Sequence, residues 1–178
     1  MSDKERNTDI APLDTLLSFL EDTPNRLANL TEGLSTVEIC LKQSADEFSA
    51  LENICHLRDL ELQAYTPRIK RMLSETNPPL PDFDGARLAA ESNYNSQRPD
   101  LALQTFATAR RGNVQMLTEL TEEQLKREGT LEGVGKITLE TLVELMREHD
   151  QGHLEDLRVL RQRLERQRSS DEVSQGGV

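Results

Sequence analysis

The sequence predicts an all-α four-helix bundle with one long crossover connection, on three observations. Four stretches carry apolar residues at helical spacing. No stretch shows the period-two alternation of a half-buried strand. The composition is rich in leucine and charge, at 30% Asp, Glu, Lys and Arg, and poor in aromatics, a mix that suits helices better than sheets.

Residues 1–10 read as a disordered arm, 11–167 as the bundle and 168–178 as a disordered tail rich in Ser and Gly. The first helix carries Leu13, Leu16, Leu20, Leu27, Leu30 and Leu34 on one stripe. Its gap falls at Asp22-Thr23-Pro24, where a break or kink is expected because proline suits a first turn better than a helix interior. The second helix opens at Ser49, with Glu52 completing a capping box, and carries Leu51, Cys55, Leu62, Tyr65, Ile69 and Met72. Pro67 falls within it as a bend, and the run Asn77-Pro-Pro-Leu-Pro81 stops it. Residues 77–99 form the long connection, a length often functional or ordered against the body of a domain. The third helix is expected from about Asp100 to Leu120, with Leu103, Phe106, Leu117 and Leu120 inward. A short capped turn at Thr121–Gln124 follows. Gly129, Gly133 and Gly135 then mark a flexible crossing loop, and the fourth helix begins near Thr138.

The net charge of −11 argues against nucleic acid and against anionic membranes, which need clustered Lys and Arg. No apolar run spans a bilayer, and the polar opening MSDKERNTDIAP has no secretory signature, so a cytoplasmic protein is expected. Cys40 and Cys55 are too few and too far apart for a disulfide framework or a Cys-x-x-Cys site.

The chemistry gathers in the fourth helix. Its seam runs Leu139, Leu142, Met146, His149, His153, Leu157, Leu160 and Leu164, so two imidazoles stand where core leucines are expected. Side chains four apart lie one above the other on a helix face, a spacing that lets two imidazoles close on one metal ion. Otherwise each ring needs a buried hydrogen-bond partner. The remaining histidine, His56, shares a strip with Glu52, Asp59 and Gln63 at the edge of the apolar arc. Its wheel position fits a half-exposed residue as well as a ligand. A three-imidazole site would have to use it, since the chain has three histidines. The zincin pattern fails because Asp150, not Glu, follows His149, and di-iron bundles need Glu-x-x-His, which is absent.

Taken in order, Ser49-x-x-Glu52-x-x-x-His56-Leu57-x-Asp59-x-Glu61, the Gly-rich loop and His149-Asp150-x-x-His153-Leu154 resemble the DinB/YfiT-like superfamily over most of the chain. The resemblance implies a four-helix bundle in which His56 joins His149 and His153 on a divalent metal, commonly zinc or nickel, with iron as a further option. It also implies homodimers. Known activities in such proteins include S-transfer and isomerisation with low-molecular-weight thiols, alongside metal-dependent hydrolysis of small molecules.

Around these ligands, Asp59 is a candidate catalytic residue, able to orient an imidazole or act as a base, against the alternative of a solvated helix carboxylate. Glu52 is explained by the capping box. Asp150 is turned about 100° from His149 and points off the metal axis. Arg110 and Asn113 interrupt the third helix's stripe; an ion pair between Arg110 and an inward carboxylate such as Glu61 is favoured over anion binding. Gly152 has no stronger explanation than close approach near the site. Two functions compete: a metal-dependent transferase or hydrolase acting on a small molecule, and a non-catalytic bundle with a structural metal that binds a protein partner.

Overall fold

The computed structural model describes residues 11–45 and 47–175, with side chains through residue 170. The expected N-terminal arm lies outside the described residues. Four long helical rods form the bundle: α1 (Leu13–Thr31), α2 (Ala50–Leu60) with its continuation α3 (Thr66–Ser74), α5 (Pro99–Thr118) and α7 (Leu139–Gln175). Helix α1 packs on α5 and α7, and α2 packs on the same two. No helix among the described residues is long and apolar enough to cross a membrane.

The break expected at Asp22-Thr23-Pro24 is absent, and α1 runs through Pro24. Proline cannot donate to the carbonyl four residues back, which leaves the Leu20 oxygen without its helical partner. The guanidinium of Arg110 takes that place, with Nη1 donating to the Leu20 oxygen at 3.3 Å. A tertiary contact thus satisfies the group that proline orphans.

The second rod starts as expected. Ser49 Oγ accepts from the Glu52 amide at 3.1 Å, and the Glu52 carboxylate accepts from the Ser49 amide at 2.8 Å. Helix α2 (Ala50–Leu60) then passes through a π-helical turn, Glu61–Tyr65, into α3 (Thr66–Ser74), whose first turn holds Pro67. A wider turn just ahead of a proline relieves the clash that proline makes with the preceding turn. Here the inward face differs from the expected stripe. Leu62 is 42% exposed, while its neighbour Glu61 is wholly buried. The reason is electrostatic: Arg110 lies inside the bundle and needs a carboxylate there.

The long connection is largely ordered. It contains β1 (Pro79–Leu80), α4 (Gly85–Glu91) and a 3-10 turn at Tyr94–Ser96. The expected flexible loop after α6 (Glu122–Leu125) is instead a hairpin of β2 (Glu128–Leu131) and β3 (Gly135–Thr138), with β1 added in parallel to β2. Its strands are too short to show alternation in sequence. Gly133 and Gly135 have φ of 77° and 107°, which the turn requires and a side chain resists. The last helix reaches Gln175, extending into the segment expected to be a disordered tail.

Among the described residues the core falls into three apolar clusters, of which a smaller one gathers Leu51, Ile54, Cys55 and Tyr94 and two flank the centre of α7. Of these two, one gathers Leu16, Leu20, Ile69, Leu117, Leu142 and Met146; the other gathers Leu27, Leu57, Phe106, Leu154 and Leu157. Along α7, His149, Asp150 and His153 fall between Met146 of the first cluster and Leu154 of the second. Polar side chains are thus built into the middle of the bundle.

Candidate metal centre

Helix α2 presents His56, and α7 presents His149 and His153 one turn apart. Their rings converge. His56 Nε2 and His149 Nε2 are 3.3 Å apart, as are His153 Nε2 and His149 Nε2. One ligand atom from each of the three side chains lies within 4.8 Å of the others. Two nitrogens bonded to one ion at about 2.0–2.1 Å in a tetrahedral arrangement stand about 3.3–3.4 Å apart, so both 3.3 Å separations fit a single ion.

The hydrogen-bonding pattern fits too. Asn53 Nδ2 donates to the Ser49 carbonyl at 2.9 Å, which turns its Oδ1 toward His153 Nδ1 at 2.7 Å. An amide oxygen only accepts, so His153 carries its proton on Nδ1 and its Nε2 is a bare lone pair facing the other rings. His56 Nδ1 and His149 Nδ1 are buried without a partner among the described residues. Three imidazoles facing nitrogen to nitrogen cannot all satisfy one another as neutral rings, whereas a cation satisfies all three.

Burial also disfavours the charged form of each ring. It pushes His56 down to about 4, helped by His149 and opposed by the Asp59 carboxylate. Burial pushes His153 down to about 3, with the other two histidines adding to the effect. His149 is lowered for the same first reason, with Asp150 opposing and Arg110 reinforcing. Neutral imidazole is the metal-binding form.

Aromatic walls surround the rings. Phe48 lies 5.4 Å from the His56 ring and stacks on His153 at 6.3 Å, while Phe83 approaches His56 at 6.1 Å. Gly85 closes the remaining side. A Cβ built there would stand 2.6 Å from His56 Nδ1 and closer still to Cε1, so only glycine leaves the ring its place.

The structure therefore brings together the three expected histidines. Asp59 lies apart from that cluster in its bonding. Its carboxylate accepts from Arg58 Nε at 2.7 Å and from the Tyr94 hydroxyl at 2.8 Å, and no hydrogen bond links it to an imidazole among the described residues. Its influence on His56 is through charge. Arg110 pairs with Glu61 at 2.7 Å, the favoured alternative, and also with Asp150. Burial works against the Arg110 charge, but Asp150 and Glu61 more than offset it and raise its pKa. Asn113 completes the cluster, donating to Glu61 Oε1 at 2.7 Å. Asn53 and Gly85 escaped the sequence reading. Asn53 stands three residues before His56, on the same helix face, a spacing that was available as a signal. Gly85 carried none.

The family model of the DinB superfamily matches residues 20–157, a span that contains all three histidines. The chain belongs to the DinB superfamily. Among solved structures it is similar to YfiT from Bacillus subtilis, described as a probable metal-dependent hydrolase with an unusual four-helix bundle topology. The two superimpose with a TM-score of 0.80 at 21% identity, over 92% of this chain and 93% of that one. At that identity the likeness concerns the fold. No curated protein sequence matches the chain significantly.

Proposed function

We propose that this chain is a metal-dependent enzyme acting on a small molecule, with His56, His149 and His153 holding one divalent ion through their Nε2 atoms. The observation that carries the reading is the set of three converging nitrogens with no fourth His, Cys, Asp or Glu in the group among the described residues. Three protein ligands leave coordination positions for water or substrate, the arrangement of catalytic rather than structural sites. Bound there, a zinc or nickel ion supplies Lewis acidity toward an oxygen or thiol nucleophile near neutral pH.

The chain's own residues do the rest. Asn53 holds the proton of His153 on Nδ1 and so keeps Nε2 directed inward. Gly85, Phe48 and Phe83 fix the His56 ring and keep bulk water from its flank. Asp59 enters as the charge that supports His56, held in place by Arg58 and Tyr94. Hydrolysis is the reading that the description of the YfiT protein supports. Transfer to a low-molecular-weight thiol uses the same site with sulfur as nucleophile, and a homodimer is part of the proposal.

Metal analysis of the purified protein tests the site. Near-stoichiometric divalent metal that disappears in His149→Ala is expected. A metal-free protein whose His149→Ala variant has unaltered stability would sink the reading. Turnover of ester and amide substrates, set beside transfer to small thiols, then separates hydrolase from transferase. Sedimentation of the full chain reports the dimer.

A further inference from the structure

Beyond the histidines, the strip of α7 that borders its inward face leads to a cavity. His149, His153, Asp156, Leu160 and Arg163 follow one another at steps of four, three, four and three residues, which places them on one side of the helix. The last three of these line a cavity of about 310 Å3 together with Val159, Glu47 and Phe48. Phe48 is the shared wall: it lines the cavity and its ring stacks on His153 at 6.3 Å. A molecule resting in the cavity therefore lies one aromatic ring away from the histidine cluster.

The charges in the cavity are unequal. Arg163 is occupied by Glu47, with Nη1 and a Glu47 oxygen 3.0 Å apart. Asp156 is exposed and has no hydrogen-bond or ion-pair partner among the described residues. After the pair is subtracted, one carboxylate remains beside apolar walls formed by Phe48, Val159 and Leu160. An anion would meet a cation already neutralised and a free negative charge. A cation with an apolar body meets a free carboxylate and an aromatic wall, two features that favour it together.

We infer that this cavity is the recognition subsite for an ammonium group on an apolar small molecule, with Asp156 as its counter-ion. The inference rests on the proposed metal site, because it places the reacting bond on the histidine side of Phe48 and the amine on the other. The substrate class is thus an amine-bearing small molecule with an apolar body. The net charge of −11 adds a general attraction for cations, which the test has to separate from the local one.

Calorimetric titration of the full chain with phenethylamine, 2-phenylethanol and 3-phenylpropionate at neutral pH provides that separation. Phenethylamine is expected to bind tightest. Asp156→Asn is expected to weaken it about fivefold, the size of one partly exposed charge pair. Glu155→Gln, which removes the same charge from the neighbouring position engaged with Arg158, is expected to leave it unchanged. Equal binding of the three probes, tighter binding of the carboxylate, no binding at all, or equal weakening by both variants would each overturn the subsite. The outcome is separable from that of the metal site. A metal-free chain that shows the Asp156-dependent preference refutes the metal reading alone, and a metal-loaded chain without the preference refutes the subsite alone.

Discussion

In the Arg110 cluster each charge meets an opposite one, whereas in the histidine cluster three nitrogens of the same kind face one another. The two lie side by side in the bundle, joined by the adjacent residues His149 and Asp150. Arg110, Glu61 and Asp150 are all at most 1% exposed, yet the guanidinium spans both carboxylates and Asn113 donates to Glu61 as well. Within this cluster, among the described residues, only Arg110 Nε lacks a hydrogen-bond partner. Of the imidazoles, only His153 has an outside partner for its Nδ1 among the described residues, and the Nε2 atoms point inward at one another. A buried cluster that balances its own charges is a structural element. One that converges three imidazole nitrogens has no charge partner of its own, and the proposed cation would supply one.

Breaking the ion cluster gives the largest expected effect. Arg110→Met strands two buried carboxylates and also frees the Leu20 carbonyl, so it is expected to lower unfolding free energy by about 3–5 kcal/mol in urea titrations. Replacing Glu61 and Asp150 by leucine in the same chain is expected to restore most of that loss. Failure to restore it would assign Arg110 a role beyond charge balance.

The histidine cluster responds to acid instead. In metal-free protein the folded-state values of about 4 for His56 and about 3 for His153 lie below the unfolded value of 6.5. The unfolded chain therefore binds protons first as pH falls. Stability is expected to be full above about pH 6.5, to decline below it, and to level off only below the folded values. Melting temperatures from pH 8 to 4 read this slope, and metal is expected to be released over the same acidic range. A flat profile between pH 7 and 5 would mean that the rings are not buried together.

Smaller changes sharpen the contrast. Gly85 has φ outside the left-handed region, so Gly85→Ala is unstrained in its backbone and its effect falls on the His56 ring. A loss of about 10–100-fold in metal affinity is expected, measured by competition with a chelator, together with an overpacking cost of about 1–3 kcal/mol in the metal-free protein. Asn53→Leu removes the acceptor that sets the His153 tautomer, and a loss in the same range, about 10–100-fold, is expected. The smallest effect belongs to the cap: Ser49→Ala is expected to cost about 1 kcal/mol through helix α2, leaving the Arg110 cluster intact.

Much of this was legible locally. Apolar spacing marked the four rods, Ser49 and Glu52 marked a helix start that the structure reproduces, and two histidines four apart had to share a face of α7. Each of these depends on residues within about two helical turns of one another, where covalent geometry fixes the relation. Pro24 shows the boundary. Its local chemistry argued for a break, and a guanidinium from α5 supplied the missing partner.

The rest was decided by tertiary packing. The contact of His56 with His149 spans 93 residues, and that of His153 with Asn53 spans 100. Such contacts depend on the rotation and offset of one helix against another, which periodicity within a single helix does not specify. The short sheet was hidden for a related reason, since its strands exist through pairing rather than through their own pattern. The sequence by itself therefore determined the rods and the two imidazoles on α7. Only the packed bundle decided that the third imidazole meets them, and that the neighbouring carboxylates are taken by Arg110.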